Sequence, residues 1–208
     1  MGSLTGSVAG ILLSETRTSV VAGKYNDARQ MTTNGGIASM TSPFPGAVQL
    51  AYTQLDYCVS QWFKIVTAPV ANILQLFTVD FYDGGGTTIG RMRAFLPGDG
   101  TIKAVTGIVA PATAAPFVID ANWHLLVATF QMSTGLLTLR VDNSVVVATT
   151  VPVVIPAGAS ADWFTSSQLS GTKPAWVLDE IAIFGNRTML QADYDFLWNG
   201  GAGNFWPW

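Results

Sequence analysis

The sequence predicts an all-β fold, a two-layer antiparallel β-sandwich with one short C-terminal helix. Three observations carry this expectation. Apolar runs of about five to nine residues recur with Gly, Pro, Asn, Asp and Ser between them, which is the spacing of a sandwich or barrel. Only one segment, near the C-terminus, carries a helical period. The chain of 208 residues buries roughly 70% of its unfolded surface, so a core needs no staple. The single cysteine, Cys58, excludes an intrachain disulfide and reads as a small buried hydrophobe.

The elements are expected in the following order. Val8–Leu13 and Ser19–Ala22 are early strands, and Gln49–Ala51 and Gln54–Ile65 follow. Ile73–Tyr82 and Thr87–Leu96 form a hairpin across Asp83-Gly84-Gly85-Gly86, where glycine supplies the positive φ of a tight turn. Pro97-Gly98-Asp99-Gly100 is the next turn, and Thr101–Val105 and Phe117–Ile119 are short strands. Trp123–Phe130 and Leu136–Val141 pair, and Val141 to Val145 turns through Asp142-Asn143-Ser144. Ala157 to Lys173 is polar, reads as irregular and contains Trp163. A strand from Trp176 to Arg187 leads into a helix starting at Thr188. Thr188 and Gln191 have capping-box spacing, and Leu190, Tyr194, Leu197 and Trp198 fall on one face. Gly200 and Gly201 end the helix. No linker divides the chain, so residues 1–208 are expected to be one domain.

Six segments carry a family resemblance. Gly23-Lys24-Tyr25-Asn26-Asp27-Ala28-Arg29 is similar to the Gly-Lys-aromatic turn that opens many laminin G-like modules. Asp56-Tyr57-Cys58-Val59-Ser60-Gln61-Trp62-Phe63-Lys64 resembles an early core strand of that family. From Trp123 onward, the Trp-His strand opening, the Val141-Asp142-Asn143 hairpin, Asp179-Glu180 through Asn186-Arg187, and Asn199-Gly200-Gly201 follow the family order. Residues 97–120 and 151–173 carry no such signature. The resemblance implies a concanavalin A-like jelly roll over about residues 7 to 205. It also implies that such modules often hold Ca²⁺ with loop aspartates, which makes Asp179 the candidate calcium ligand. These motifs are core and turn patterns and specify no ligand.

Composition removes several functions. Charged residues make up 11% of the chain, hydrophobic residues 49%, and the net charge is −3. No basic cluster exists to meet phosphates, so nucleic acid is not an expected partner. No apolar run reaches membrane-spanning length, and the N-terminal Met1-Gly2-Ser3-Leu4 has no basic region of a secretory signal. Retaining glycanases need two carboxyls about 5 Å apart. The only glutamates of this chain are Glu15 and Glu180, and Asp179 and Glu180 are adjacent, so a regular strand turns them to opposite faces. His124 is the sole histidine and reads as structural. The chain is therefore expected to be non-enzymatic, with no catalytic residue and no cofactor beyond that candidate Ca²⁺.

The tryptophans are the remaining lead. Trp62, Trp123, Trp176 and Trp198 lie on strands or the helix and read as core. Trp163, Trp206 and Trp208 are the candidate glycan- or partner-binding residues, with self-packing open for the terminal pair. The sparse charge fits a subunit with much of its surface in contacts. The leading expectation is a phage virion surface protein: a capsid decoration, head fibre or tail adhesin. It would be a homo-oligomer made in the host cytoplasm and would contact capsid or tail proteins, with a cell-surface glycan as a further partner. The alternative is a carbohydrate-binding module, Ca²⁺-assisted, from a secreted protein.

Overall fold

The computed structural model describes residues 12–16, 18–25, 27–31, 37–41, 57–67, 74–83, 85–106, 113–131, 134–150, 160–167, 176–185 and 189–204. The strands are β1 (Leu12–Thr16), β2 (Thr18–Ala22), β3 (Asp27–Met31), β4 (Ile37–Thr41), β5 (Tyr57–Ile65), β6 (Leu74–Tyr82) and β7 (Thr88–Leu96). They continue with β8 (Thr101–Thr106), β9 (Thr113–Pro116), β10 (Trp123–Gln131), β11 (Leu136–Val141), β12 (Ser144–Thr150), β13 (Ser160–Ser167) and β14 (Trp176–Gly185). One helix, α1 (Gln191–Trp198), follows.

The strands form two antiparallel sheets. The first runs β1-β4-β13-β6-β7-β8-β9 and the second β12-β11-β10-β5-β14-β3-β2. The predicted two-layer sandwich is therefore the observed fold. Alternation explains the layers. In β11, Leu137, Leu139 and Val141 point into the core, and the residues between them are half-buried. In β5, Val59, Phe63 and Ile65 join the central core, while Cys58 and Trp62 join a second cluster on the other face. Leu76, Phe77, Val79, Met92 and Ile102 of the first sheet meet Phe63, Leu126, Phe130 and Trp176 of the second. One buried polar bridge crosses the layers: Gln61 Nε2 donates to the Leu76 carbonyl at 2.9 Å. Leu76 sits in a bulge between Gln75 and Phe77, so the glutamine serves a carbonyl that the ladder leaves over.

Several boundaries differ from expectation, each for a physical reason. The stretch read as irregular, Ala157 to Lys173, contains β13, which pairs with both β4 and β6. Its polar composition hid a central strand, because cross-strand neighbours and not propensity stabilise it. Phe117–Ile119 is not a strand, and the ladder instead uses Thr113–Pro116. Phe117 and Ile119 pack against the core from a loop, and Val118 is exposed. The turn at Val141 to Val145 is tighter than expected. Asp142 and Asn143 have φ of 51° and 65°, a two-residue type I′ loop, and β12 begins directly at Ser144. The helix begins at Gln191, so Gln191 cannot be the third residue of a Thr188 capping box. Asp193 takes that role, its carboxylate accepting from Leu190 N–H at 2.8 Å. Leu190 is exposed, which leaves Tyr194 and Leu197 as the buried stripe with Trp198 half-buried beside them. Asp27 to Arg29, read as part of a turn, already belongs to β3, which pairs with β2 and β14. The expected strand Gln49–Ala51 and the capping residue Thr188 lie outside the described residues.

Candidate binding face

The two sheets present very different outer faces. On the second sheet, Cys58, Trp62, Leu125 and Val127 are covered by Met189, Tyr194 and Leu197 of the helical segment. Tyr194 is anchored there by a 3.0 Å hydrogen bond between its hydroxyl and Thr129 Oγ1, and the Arg140 guanidinium lies 4.1 Å over its ring. That face is closed by the protein itself.

The family-like motifs converge at one end of this closed face. Asp179 Oδ2 accepts from the backbone N–H of Lys24 at 2.7 Å and of Tyr25 at 3.1 Å, and Oδ1 accepts from Glu180 N–H at 3.0 Å. Lys24 Nζ donates to the Gly201 carbonyl at 2.6 Å and lies 4.6 Å over the Trp62 ring. Trp62 stacks on Trp198 with centroids 5.8 Å apart and meets the Tyr25 ring edge-on at 6.4 Å. Burial, with Glu180 and Asp179 nearby, pushes the Tyr25 hydroxyl up to about 12. Gly203 closes the knot: a Cβ there falls on the Tyr25 hydroxyl and comes within 2.7 Å of Trp62 Cζ2. The candidate calcium ligand, Asp179, is 6% exposed and fixes the backbone of the Gly23–Tyr25 turn. Backbone N–H donors, not further oxygens, meet both its carboxylate atoms, and no group of three or more His, Cys, Asp or Glu poised for a metal exists among the described residues. A bulge between Asp179 and Ala182 interrupts the alternation assumed for Asp179-Glu180, and Glu180 takes φ of 47°.

A second polar post stands at the start of β10. His124 Nδ1 lies 2.7 Å from Asp142 Oδ2, and Nε2 lies 2.9 Å from Asp120 Oδ1. Asp142 Oδ1 also accepts from Leu125 N–H at 3.0 Å, so the turn aspartate bonds across the hairpin and not to its own loop. The Phe63 and Phe117 rings flank the imidazole at 5.5 and 5.3 Å. Burial disfavours the charged ring, but the two carboxylates outweigh it and the net shift is upward. His124 is thus structural, and its environment holds the imidazolium.

The first sheet carries no helix among the described residues, and its outer face is polar. Along β7, Arg91, Arg93 and Phe95 alternate with core residues Met92, Ala94 and Leu96. Cross-strand pairing sets Asp80, Thr78 and Gln75 of β6 beside them on one side, and Val105 and Lys103 of β8 beside Arg93 and Phe95 on the other. Asp80 holds Arg91 through two bonds, Nη2 to Oδ2 at 2.6 Å and Nε to Oδ1. Lys103 reaches Asp99 at 2.8 Å. Arg93 lies 4.6 Å over the Phe95 ring. On this face Arg91, Arg93 and Lys103 keep part of their surface in water, while Gln75, Thr78, Asp80, Phe95 and Val105 are buried.

Of the sequence-predicted binding residues, Trp163 is among the described ones. Trp163 lies on a strand and not in a loop; its backbone pairs with Met40 and with the core residue Val79. Trp206 and Trp208 lie outside the described residues. Arg91, Arg93 and Phe95 passed unnoticed, although strict alternation in Thr88–Leu96 was a readable signal that they share one face.

No protein-family model matches this chain, and no curated protein matches it. Solved structures do. The binding domain of Paraclostridial mosquitocidal protein 1 aligns with a TM-score of 0.65 at 12% identity, over 92% of this chain and 48% of its own. The binding domain of botulinum neurotoxin DC, solved with rat synaptotagmin II, gives 0.64 at 11% over 92% and 47%. Trypanosoma rangeli sialidase, solved with sialic acid, gives 0.69 at 15% over 97% and 32%. This chain spans less than half the length of each. At such identities the likeness shows the fold: a β-sandwich of the kind found in these binding domains and in this sialidase.

Proposed function

We propose that this chain is a non-enzymatic binding module that recognises carbohydrate through the outer face of the β6–β7–β8 sheet. The observation that carries the reading is the contrast between the two outer faces. One is sealed by α1, while the other keeps Arg91, Arg93 and Lys103 partly in water, with Phe95, Thr78 and Gln75 buried beneath them. Guanidinium and ammonium groups that keep part of their surface in water suit sugars, which offer hydroxyls at their edges. Similar folds occur in a botulinum neurotoxin type C, described as entering cells through two ganglioside molecules, and in a sialidase crystallised with sialic acid. Binding without bond cleavage accords with the carboxylates described above. Asp80 is committed to Arg91, Asp120 and Asp142 to His124, and Asp179 to backbone amides.

A glycan array probed with labelled protein tests the reading. Saturable binding to at least one glycan class, weakened by Arg91→Gln, is expected. Absence of binding to every glycan at tens of micromolar protein would refute it.

One observation favours a second reading, an assembled subunit on a virion surface: a chain that is only 11% charged covers little of its surface with ionised groups. On that reading the module forms a homo-oligomer, docks on capsid or tail proteins and is made in the host cytoplasm. Light scattering and co-sedimentation with phage particles separate the two. A monomer that does not sediment with particles removes the virion reading and leaves the glycan reading intact.

A further inference from the structure

Residues 117–122 carry the chain from β9 of the first sheet to β10 of the second, and few bonds hold them. The segment starts on Phe117, whose N–H donates to the Gly100 carbonyl at 2.9 Å. Phe117 and Ile119 rest half-buried on the core, the Phe117 ring 6.0 Å from that of Phe63, while Val118 is 79% exposed. Farther along, Asp120 bonds within its own loop. Asn122 donates to it from the backbone N–H at 2.7 Å and from Nδ2 at 2.9 Å. Among the described residues, its one bond outside the loop is to His124 Nε2 at 2.9 Å.

His124 thus stands between two carboxylates, Asp142 at Nδ1 and Asp120 at Nε2. The other groups packed on the ring are uncharged, Phe63 from β5 and Phe117 from the loop. Lys64, next on β5, pairs with Trp123 and by alternation turns to the opposite face. Arg140 of β11 lies over the Tyr194 ring. A carboxylate only accepts, so both contacts are hydrogen bonds only while both ring nitrogens carry protons. A neutral imidazole keeps one N–H, and its bare nitrogen then faces an anionic oxygen at 2.7 or 2.9 Å. One partner must withdraw, and the two are held unequally. Asp142 Oδ1 accepts from Leu125 N–H, and Asp142 N–H donates to the Leu125 carbonyl, each at 3.0 Å. Asp120 has no such hold on either sheet.

We infer that residues 117–122 form a pH-sensitive strap: the imidazolium of His124 holds it shut through Asp120, and loss of one ring proton releases Asp120 while Asp142 stays. The remaining proton sits on Nδ1, shared with Asp142. Release removes the tie beyond Phe117 and lets Ile119 and the Phe117 ring lift from the core and from Phe63. Burial favours the neutral ring, but the two carboxylates outweigh it, so the strap stays shut through the ordinary value of 6.5 and opens above it. The device is independent of what the module binds.

Carbon-detected NMR relaxation, which needs no amide protons, tests this on the whole chain, and the ring signals of the single histidine give its titration in the same samples. Between pH 6 and pH 9 the backbone order parameters of residues 118–122 are expected to fall from about 0.85 to below about 0.6, with the midpoint of the His124 titration. Those of Leu125 and of the Asp142-Asn143 turn are expected to stay near their starting values. Asp120→Asn supplies an amide that accepts from the charged ring and donates to the neutral one, so this variant is expected to keep the strap ordered at both pH values. The native titration stands by itself if the variant does not fold. Order at 118–122 that does not change with pH overturns the strap. So does a loss that falls on the Asp142 turn instead, or equally on both segments, and so does a full loss in Asp120→Asn.

Discussion

Asp179 shows how much the fold adds to what a side chain's neighbours in sequence suggest. Beside Glu180 in a family-like strand it resembles a calcium ligand; in the fold it is a backbone clamp for a turn 154 residues away in sequence. Asp179→Ala leaves the Lys24 and Tyr25 amides unmet in a largely buried site, and a loss of about 2–4 kcal/mol is expected in urea unfolding. If the clamp is the whole of its role, chelator and added Ca²⁺ leave the native midpoint unchanged; a rise of several degrees with Ca²⁺ contradicts it. Gly203 sits in the same knot. It has φ of 77° and no room for a Cβ against Tyr25 and Trp62. Gly203→Ala combines an unfavourable backbone region with overpacking, so a cost of about 2–4 kcal/mol is expected.

The β10–β12 hairpin and its neighbours form a unit held by charge as well as by packing. His124 links the segment before β10 to the β11–β12 turn, and the turn links to the helix. Asn143 Nδ2 donates to Asp195 Oδ1 at 2.6 Å, and Gln191 Nε2 donates to Asn143 Oδ1 at 3.2 Å. Because the folded-state value of His124 is raised, this clasp contributes in full below the ordinary value of 6.5 and is lost as pH climbs through the folded value. Asp120 works from the other side. Its carboxyl is held low, first by Asn122 N–H and then by His124, so its contribution is present above the ordinary value and lost only as pH falls through the depressed one. The urea midpoint is therefore expected to decline as pH rises from 6 to 9, and His124→Gln is expected to flatten that slope. An unchanged slope in the variant contradicts the clasp. At the neighbouring turn, Asn143→Ala replaces a residue that tolerates the left-handed region with one that does so less well and removes both ties to the helix; a cost of about 1–2 kcal/mol is expected, read by thermal unfolding.

At the scale of the molecule, half of the sheet neighbours are not consecutive in the chain: β13 inserts between β4 and β6, and β5 between β10 and β14. Loop closure must precede such pairing, so refolding in milliseconds to seconds, with more than one phase, is expected in stopped-flow fluorescence of the tryptophans. A single microsecond phase contradicts that topology. The same non-local order decides what could be read in advance. Strands whose partners lie next door, such as Leu74–Tyr82 with Thr88–Leu96 and Trp123–Gln131 with Leu136–Val141, were legible to within a residue or two, because alternation and turn glycines are local signals. Ser160–Ser167 was not, since its stability comes from two strands that no local pattern reveals. Trp163 was weighed as a loop residue for that reason. The sequence by itself determined an all-β sandwich with a late helix, since period-two apolar runs bury their faces only by stacking sheets. It also determined the motifs of the Asp179 knot, though not that they meet. Only the tertiary structure decided which outer face the helix seals and which carboxylate neutralises which cation; these are matters of proximity across strands, and a linear order carries no distances.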